Sequence, residues 1–272
     1  MTAAIVATPA PSHVPLGRAL LEQGLHVLLE KPLALGLDGL EDLRRARDQA
    51  GRQLAVAYVH RRNPALRAAR AFIRTGSWGP VLHATVASGQ DFAALRPAYR
   101  QIYYRDRAQG GGCLQDALTH SIDGLSWILG PAREVLCDAA HQALDGVTVE
   151  DTVNLLSRHG PALVGFLANQ FQAPNEARWD LHLPGGSVRI EMRRFRWGRF
   201  ARGAADWTWE DLPAPGADGI FSLQAGDFLD ACEGRPTELC TLEEGRETVR
   251  FTLAAFRSLE SRAWAATTES GA

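Results

Sequence analysis

Short apolar segments alternate with amphipathic ones along the first part of the chain. The segments Ala3–Ala7, Leu25–Leu29 and Gln53–Val59 are short and largely apolar, as expected of parallel strands that helices cover on both faces. His13–Gln23 and Leu37–Ala50 lie between them, carry apolar residues at helical spacing, and are each followed by a glycine. This order predicts a parallel, doubly wound α/β sheet. Three strands and two helices are only part of such a sheet.

The pattern changes after residue 59, where the chain predicts an α+β domain with a large, mostly antiparallel sheet. Pro64–Thr75 reads as a helix, and turn sequences rich in glycine and proline separate the segments of strand character that follow, which are Val81–Ser88, Arg133–Ala139, Thr152–Ser157, Ala162–Gln170, Trp179–Leu183 and Ser187–Met192. Asp206–Asp218, rich in tryptophan, proline and glycine, is expected to be irregular. Phe221–Glu233 and Leu242–Trp264 are expected to be helices. We divide the chain into residues 1–59 and 60–272.

The segment Gly110–Asp123, GGGCLQDALTHSID, carries the most suggestive polar residues. Its glycines permit positive φ and close approach to the backbone, and an apolar stripe at helical spacing follows them. Asp116 and His120 are four residues apart, which predicts that both lie on one face of this helix. Such a pair can move a proton near neutral pH. The alternatives are a surface pair after a glycine turn, or a metal site, which a missing third ligand disfavours.

Composition narrows the function classes. The chain has 272 residues, is 46% hydrophobic and 22% charged, and carries a formal net charge of −2, which does not favour a nucleic-acid or anionic-membrane surface. Its 4 cysteines are far apart, without the spacing of a zinc site, and are expected to be reduced thiols of a cytoplasmic protein. We see no signal peptide and no transmembrane run, so no membrane partner is expected.

Seven stretches together resemble the Gfo/Idh/MocA family of NAD(P)-dependent oxidoreductases. Glu30-Lys31-Pro32 matches the EKP signature, and Gly110–Asp123 is similar to the family's GGG…DxxxHxxD helix. The others are Ala7–His13 (ATPxxxH), Tyr58–Pro64 (YxxRxxP), Ile73–Gly79 (IxxGxxG), Glu150–Thr152 and Ala254–Ser258. EKP alone is a weak signal, but these motifs in this order and spacing are specific and cover nearly the whole chain. The resemblance implies that residues 1–59 are the remnant of a Rossmann domain and that residues 60–272 bind substrate and mediate oligomerisation.

The chemistry expected of such a site is hydride transfer between NAD or NADP and a hydroxyl or carbonyl carbon of a sugar, polyol or cyclitol. Lys31 follows a parallel strand, where ligands bind, and would hold the reacting oxygen. His120 would be the general base or acid, and Asp116 would orient His120 or hold a neighbouring hydroxyl. The resemblance implies the same three roles. Lys31 as a solvated lysine and His120 as a core histidine are the structural alternatives.

Two further sets of residues are expected around the reacting atoms. The cofactor side would be lined by Thr8, Pro9, His13, Glu30, Lys31 and Pro32, with a structural role for His13 equally open. Substrate contacts would come from Tyr58, Arg61, Tyr103, Tyr104 and Arg105, although residues such as Tyr103 and Tyr104 are more often packing residues. The expected partners are a small sugar or polyol and further copies of the chain, in a homodimer or homotetramer formed through the antiparallel sheet.

One departure from the family pattern limits these expectations. The sequence contains no GxGxxG motif, so it resembles the family from about its fourth strand onward and lacks roughly 60 residues of a Rossmann half. The turn and helix N-terminus that hold the pyrophosphate are missing from it. We therefore expect a truncated chain that is weakly active or inactive, and the choice between NAD and NADP stays open. The alternative is a non-catalytic sugar-binding or assembly protein derived from the family.

Overall fold

The computed structural model describes residues 2–216 and 218–268. The first sheet contains three parallel strands, β1 (Ala3–Val6), β2 (His26–Leu29) and β3 (Leu54–Val56), in that order. Helices α1 (His13–Glu22) and α2 (Leu40–Ala50) connect them, as the alternation of apolar and amphipathic segments predicts. The buried side chains of β2 and β3 pack with Leu21 and Leu43 of these helices.

The last third of the chain contributes to this first sheet. The two-residue strand Cys240–Thr241 pairs antiparallel with β3. The helix that follows, Leu242–Ser261, begins with a capping box in which Thr241 and Glu244 satisfy each other's backbone N–H groups. Leu242 and Val249 of that helix pack into the same apolar cluster as Val56. The C-terminal helix therefore packs against the first domain as well as the second.

A nine-stranded sheet forms the second part of the fold. Its strands are β4 (His83–Asp91), β5 (Glu134–Ala140), β6 (Thr152–His159), β7 (Ala162–Asn169), β8 (Phe171–Leu183), β9 (Gly186–Glu191), β10 (Arg196–Ala201), β11 (Thr208–Asp211) and β13 (Ala265–Ala266); the label β12 is kept for Cys240–Thr241 of the first sheet. The order of the strands across the sheet is β11-β10-β9-β8-β4-β7-β6-β5-β13. Within this sheet, β4 and β7 are the only parallel neighbours among the strands that the structure describes. This confirms the prediction of a mixed fold with a partial Rossmann sheet and a larger, mostly antiparallel one.

The remaining helices complete the core and the loops. They are α3 (Pro64–Arg74), α4 (Phe92–Leu95), α5 (Thr119–Leu129), α6 (Gly219–Cys232) and α7 (Leu242–Ser261). Residues of α3, α5 and α7 join the buried face of the large sheet in one apolar cluster. No helix in the described ranges combines the length and the apolar character that crossing a bilayer requires.

The prediction of an irregular segment at residues 206–218 is wrong in part. Thr208–Asp211 forms β11, paired antiparallel with β10, a strand that the sequence reading also missed. Trp209 lies against Gly198 on the neighbouring strand, where a Cβ would come within 2.7 Å of the indole. Arg196 stacks 4.4 Å from the centre of the same ring. Tertiary packing of the tryptophan therefore outweighs the turn-like composition.

Candidate active site

A cleft of about 890 Å³ opens where the three parallel strands end. Residues 7–10, 30–32, 57, 59 and 60, which follow β1, β2 and β3, form one wall. The other wall comes from the segments after β4, from the helix after the glycine loop, and from the turn after β9. Because the carboxyl ends of parallel strands are where such sheets bind ligands, this cleft is the candidate site.

The conformation of the glycine loop is set by positive φ values and by a close contact with another backbone segment of this chain. Gly110 and Gly112 have φ values of +93° and +94°, in the region that favours glycine. At Gly111 a Cβ would lie 2.1 Å from the carbonyl oxygen of Tyr104, so the close approach is made by a backbone segment. A π-helical turn, Cys113–Leu118, follows before α5 begins at Thr119.

Lys31 and Asp116 meet in the cleft although they are 85 residues apart in sequence. The Lys31 Nζ donates to Asp116 Oδ1 at 2.8 Å and to the Asp116 carbonyl oxygen at 2.7 Å. The Tyr103 hydroxyl donates to the same Oδ1 at 2.8 Å. Burial, followed by the charge of Asp116, raises the pKa of Tyr103. An ammonium has three donors, so one N–H of Lys31 is left for a ligand.

His120 lies in the same cleft and makes no hydrogen bond to any described residue. Its Nδ1 is buried without a partner, and the ring stacks on His60 with 4.5 Å between ring centres. Burial, together with the charges of His60 and Lys31, lowers the pKa of His120 well below its usual value. Burial, together with Lys31 and Arg193, lowers the pKa of His60 to about 4. Both rings are therefore neutral at neutral pH.

The buried histidines predict a pH dependence of stability. Because the folded pKa of His60 is about 4 against 6.5 in the unfolded chain, the unfolded state binds more protons in that interval. Stability therefore falls as the pH drops from about 6.5 to about 4. Over this pH interval, the free energy of unfolding of His60→Asn should fall less than that of the wild type, by on the order of 2 kcal/mol, as measured by urea unfolding. His83→Asn, on the exposed start of β4, is the control; the same slope in His60→Asn and the wild type would contradict the prediction.

Most residues expected on the cofactor side line the cleft, but His13 does not. Thr8, Pro9, Glu30 and Pro32 line the cleft. His13 is 1% exposed and is not among the lining residues; its ring nitrogens lie 2.8 Å from the Pro32 carbonyl oxygen and 2.7 Å from that of Thr8. His13 therefore ties together the two backbone segments that follow β1 and β2.

Only Tyr103 of the five expected substrate contacts lines the cleft. Tyr58 and Tyr104 are buried, and Arg105 lines a separate surface depression with residues 146–149. Arg61 is 3% exposed and forms a two-pronged ion pair with Asp123, at 2.9 and 2.7 Å. Their proximity in sequence to cleft residues does not bring these four side chains into the cleft.

The geometry also corrects the expected pairing of Asp116 with His120. The Asp116 carboxylate is engaged by Lys31 and Tyr103, and His120 instead stacks on His60. Asp116 belongs to the π turn Cys113–Leu118 and His120 to α5, so the two side chains do not stand in one regular α-helix. The second of the two stated roles, holding a neighbouring hydroxyl, fits Asp116 better.

Two family models match the chain. Residues 1–58 match an oxidoreductase family with an NAD-binding Rossmann fold, and residues 66–193 match the GFO/IDH/MocA C-terminal domain. The 1,5-anhydro-D-fructose reductase of Ensifer adhaerens is 32% identical over 250 residues, which cover 89% of this chain and 73% of that protein. The chain belongs to the Gfo/Idh/MocA family.

Other relatives place the chain within this family more loosely. The levoglucosan dehydrogenase of Pseudarthrobacter phenanthrenivorans is 30% identical over 125 residues, or 46% of this chain and 32% of that protein. The uncharacterized oxidoreductase YdgJ of Escherichia coli is 25% identical over 183 residues, which cover 67% of this chain and 51% of that protein. The chain thus spans about half or less of these two relatives.

Solved structures support the fold. Levoglucosan dehydrogenase in complex with NADH and levoglucosan superimposes with a TM-score of 0.87 at 20% identity, covering 99% of this chain and 80% of that one. An oxidoreductase domain protein from Kribbella flavida gives a TM-score of 0.85 at 25% identity, covering 97% and 80%. The architecture of this Gfo/Idh/MocA chain is therefore shared over almost its whole length.

Several cleft residues of this family member are not among the residues singled out from its sequence. They include His60, Gln90, Arg96, Arg193, Ile220 and Phe221. One available signal is composition: the chain has 28 arginines and a single lysine, and that lysine is Lys31. A chain that otherwise uses only guanidinium groups keeps an ammonium at this one position. This contrast marks Lys31 without reference to any motif.

Proposed function

We propose that this chain carries the substrate site of an oxidoreductase and the part of its cofactor site that binds the nicotinamide. The enzyme would transfer a hydride between NAD or NADP and a hydroxyl or carbonyl carbon of a sugar, polyol or cyclitol. The observation that supports it most is the meeting of Lys31, Asp116 and Tyr103 beside His120 in one cleft. These groups arise from three separate segments, and a purely structural role does not require them to face a common cavity.

The residues present fit the reactive end of a dinucleotide. His120, with its buried and unpartnered Nδ1, and Lys31, with one free donor, line the same cleft as Thr8, Pro9 and Pro32. The last three would hold the nicotinamide and its ribose. When bound, NAD or NADP would supply or accept the hydride. Within the 272 residues there is no GxGxxG sequence for the pyrophosphate, so the expectation of weak activity for this chain stays a prediction.

Lys31 and Asp116 act together on the reacting oxygen. The remaining N–H of the Lys31 ammonium donates to that oxygen and stabilises the negative charge that develops on it. Asp116 fixes the ammonium by accepting two hydrogen bonds from it, one at the carboxylate and one at the backbone carbonyl oxygen. The Tyr103 hydroxyl also donates a hydrogen bond to the Asp116 carboxylate, and Tyr103 lines the same cleft.

His120 moves the proton. Because its pKa is lowered, the ring is neutral at neutral pH and can accept the proton of a substrate hydroxyl during oxidation. The same group returns a proton during reduction. The stacked His60 restricts the ring of His120 to one orientation.

Replacing His120 tests the proposal. His120→Ala should lower kcat by about 10² to 10⁴-fold while the sugar's Kd changes little, because proton transfer is lost and binding is not. Deuteride transfer from labelled NADH, followed by mass spectrometry, measures turnover even when it is slow. Gln109→Ala, at the rim of the same cleft, is the control. An unchanged kcat in His120→Ala would remove this residue from the proposal.

The assembly expected from the sequence also stays a prediction. Leu156, Leu163 and Leu167 of β6 and β7 are each about half exposed on the outer face of the nine-stranded sheet. An apolar patch of this kind favours contact with a second copy of the chain. Sedimentation equilibrium would check it, and a monomer at micromolar concentration would contradict it.

A further inference from the structure

Arg193 is a cation that the catalytic roles above do not use. It lies in the turn Met192–Arg194 after β9 and lines the cleft on the wall opposite the parallel strands. The two neighbouring arginines, Arg194 and Arg196, both pair with Glu191. Arg193 instead lines the cleft as well as the neighbouring depression at residues 172–178, and no carboxylate of residues 2–216 or 218–268 lies within ion-pair distance of it.

The turn that carries Arg193 is held on both sides. Met192 is 4% exposed, and its carbonyl oxygen accepts a hydrogen bond from Asn63 Nδ2 at 3.1 Å. Asn63 also caps α3, so the turn is joined to the start of a buried helix. The backbone of the turn is thus anchored at Met192, while Arg193 itself is exposed.

Among the residues that the structure describes, the side-chain hydrogen-bond partner of Arg193 is a neutral amide. Its Nη2 donates to Gln90 Oε1 at 3.4 Å, a long bond that leaves the other N–H groups of the guanidinium free. Gln90 is oriented by the buried Gln170, to which it donates at 2.9 Å. The arrangement presents a guanidinium fork and an amide to the same space.

The charges that line the cleft are not balanced. The cations are Lys31, Arg96 and Arg193, and the carboxylates are Glu30 and Asp116. His60 and His120 are neutral at neutral pH, for the reasons given above. One positive charge is therefore in excess among the residues that line the cleft.

We propose that the substrate of this site is an acidic sugar or polyol, such as a uronate or an aldonate, whose carboxylate is bound by Arg193. A guanidinium fork matches a planar carboxylate, and the single excess charge of the cleft matches one carboxylate better than a doubly charged phosphate ester. The substrate's hydroxyl then lies toward Lys31 and His120. This inference rests on the proposed function, because it assigns a feature of the same substrate.

Binding of matched probes tests the assignment without requiring turnover. Titration calorimetry of the 272-residue chain, with and without NADH, would compare D-glucuronate and D-gluconate with D-glucose and D-glucose 6-phosphate. We expect at least one carboxylate probe to bind about tenfold more tightly than D-glucose. Arg193→Gln should abolish this advantage, and Arg194→Gln, one residue along the same turn and paired with Glu191, should keep it.

Each other result overturns the assignment. Equal binding of D-glucose, a preference that survives in Arg193→Gln, tighter binding of the phosphate ester, or no binding of either carboxylate up to about 10 mM would each contradict it. Failure of the proposed function can be distinguished from failure of this assignment, because it would appear as turnover that does not change in His120→Ala. A neutral sugar that is turned over through His120 would refute the acidic substrate alone.

Discussion

Replacing Lys31 by alanine should lower kcat by about 10² to 10³-fold, the loss typical of removing one donor to a developing oxyanion. The sugar's Kd should change less, because the ammonium's interaction strengthens mainly as negative charge forms. Turnover and Kd are measured separately, by deuteride transfer and by calorimetry. Arg74→Ala, which removes one exposed cation from α3, is the control for net charge. A loss of affinity with an unchanged kcat would show that Lys31 only binds substrate.

Lys31→Arg sharpens this test. The substitution keeps the positive charge but replaces a compact ammonium by a planar fork that does not fit between the side-chain and backbone oxygens of Asp116. We expect a loss of at least about tenfold in kcat. A fully active Lys31→Arg variant would show that charge alone suffices.

The uniqueness of Lys31 gives a readout that does not depend on turnover. Reductive methylation with ¹³C-formaldehyde labels lysine side chains and the N-terminal amine, so one side-chain signal is expected from this chain. A sugar in the cleft should shift the Lys31 signal and leave that of the terminus unchanged. Binding of a sugar without any shift would place the bound sugar away from Lys31.

The convergence of Lys31, Asp116 and His120 could be predicted from sequence because each depends on local rules. Lys31 directly follows a buried strand, and strand ends of a parallel sheet share one edge. Asp116 and His120 stand near the start of a helix whose apolar stripe fixes which face is buried. The hydrogen-bond partner of Asp116 could not be predicted, since it depends on a π turn and on a tyrosine brought in by a separate loop.

Long-range partners account for the other differences. Arg61 precedes a helix by only a few residues and stands beside cleft residues in sequence, yet its carboxylate partners are 62 and 183 positions away. The strand Thr208–Asp211 similarly depends on Gly198 leaving room for Trp209. Neither partner is indicated by the local pattern of hydrophobic and polar residues, because both arise only when distant segments pack.

Arg61→Met should destabilise the protein by about 3 to 5 kcal/mol, because it leaves the carboxylate of Asp123 buried without a counter-charge. Asp123 is 1% exposed, and the pair is closed on the other side by a 2.8 Å hydrogen bond from Arg61 Nη1 to Glu244 Oε2. Urea unfolding measures the change. Arg18→Met, which breaks an exposed pair with Glu22, should change the unfolding free energy little.

A double variant separates this structural role from a role in substrate binding. In Arg61→Met/Asp123→Leu no unpaired charge remains buried, so most of the lost stability should return. If Arg61 instead bound substrate, the single variant would be stable and would bind the sugar more weakly, and the second substitution would restore nothing. Because Arg61 joins the segment after β3 to α5 and to the start of α7, we expect its loss to loosen the first sheet and the helix of His120 together. Unfolding of the single variant in two separate transitions would contradict this, because it would show that the first sheet and the helix of His120 no longer unfold as one unit.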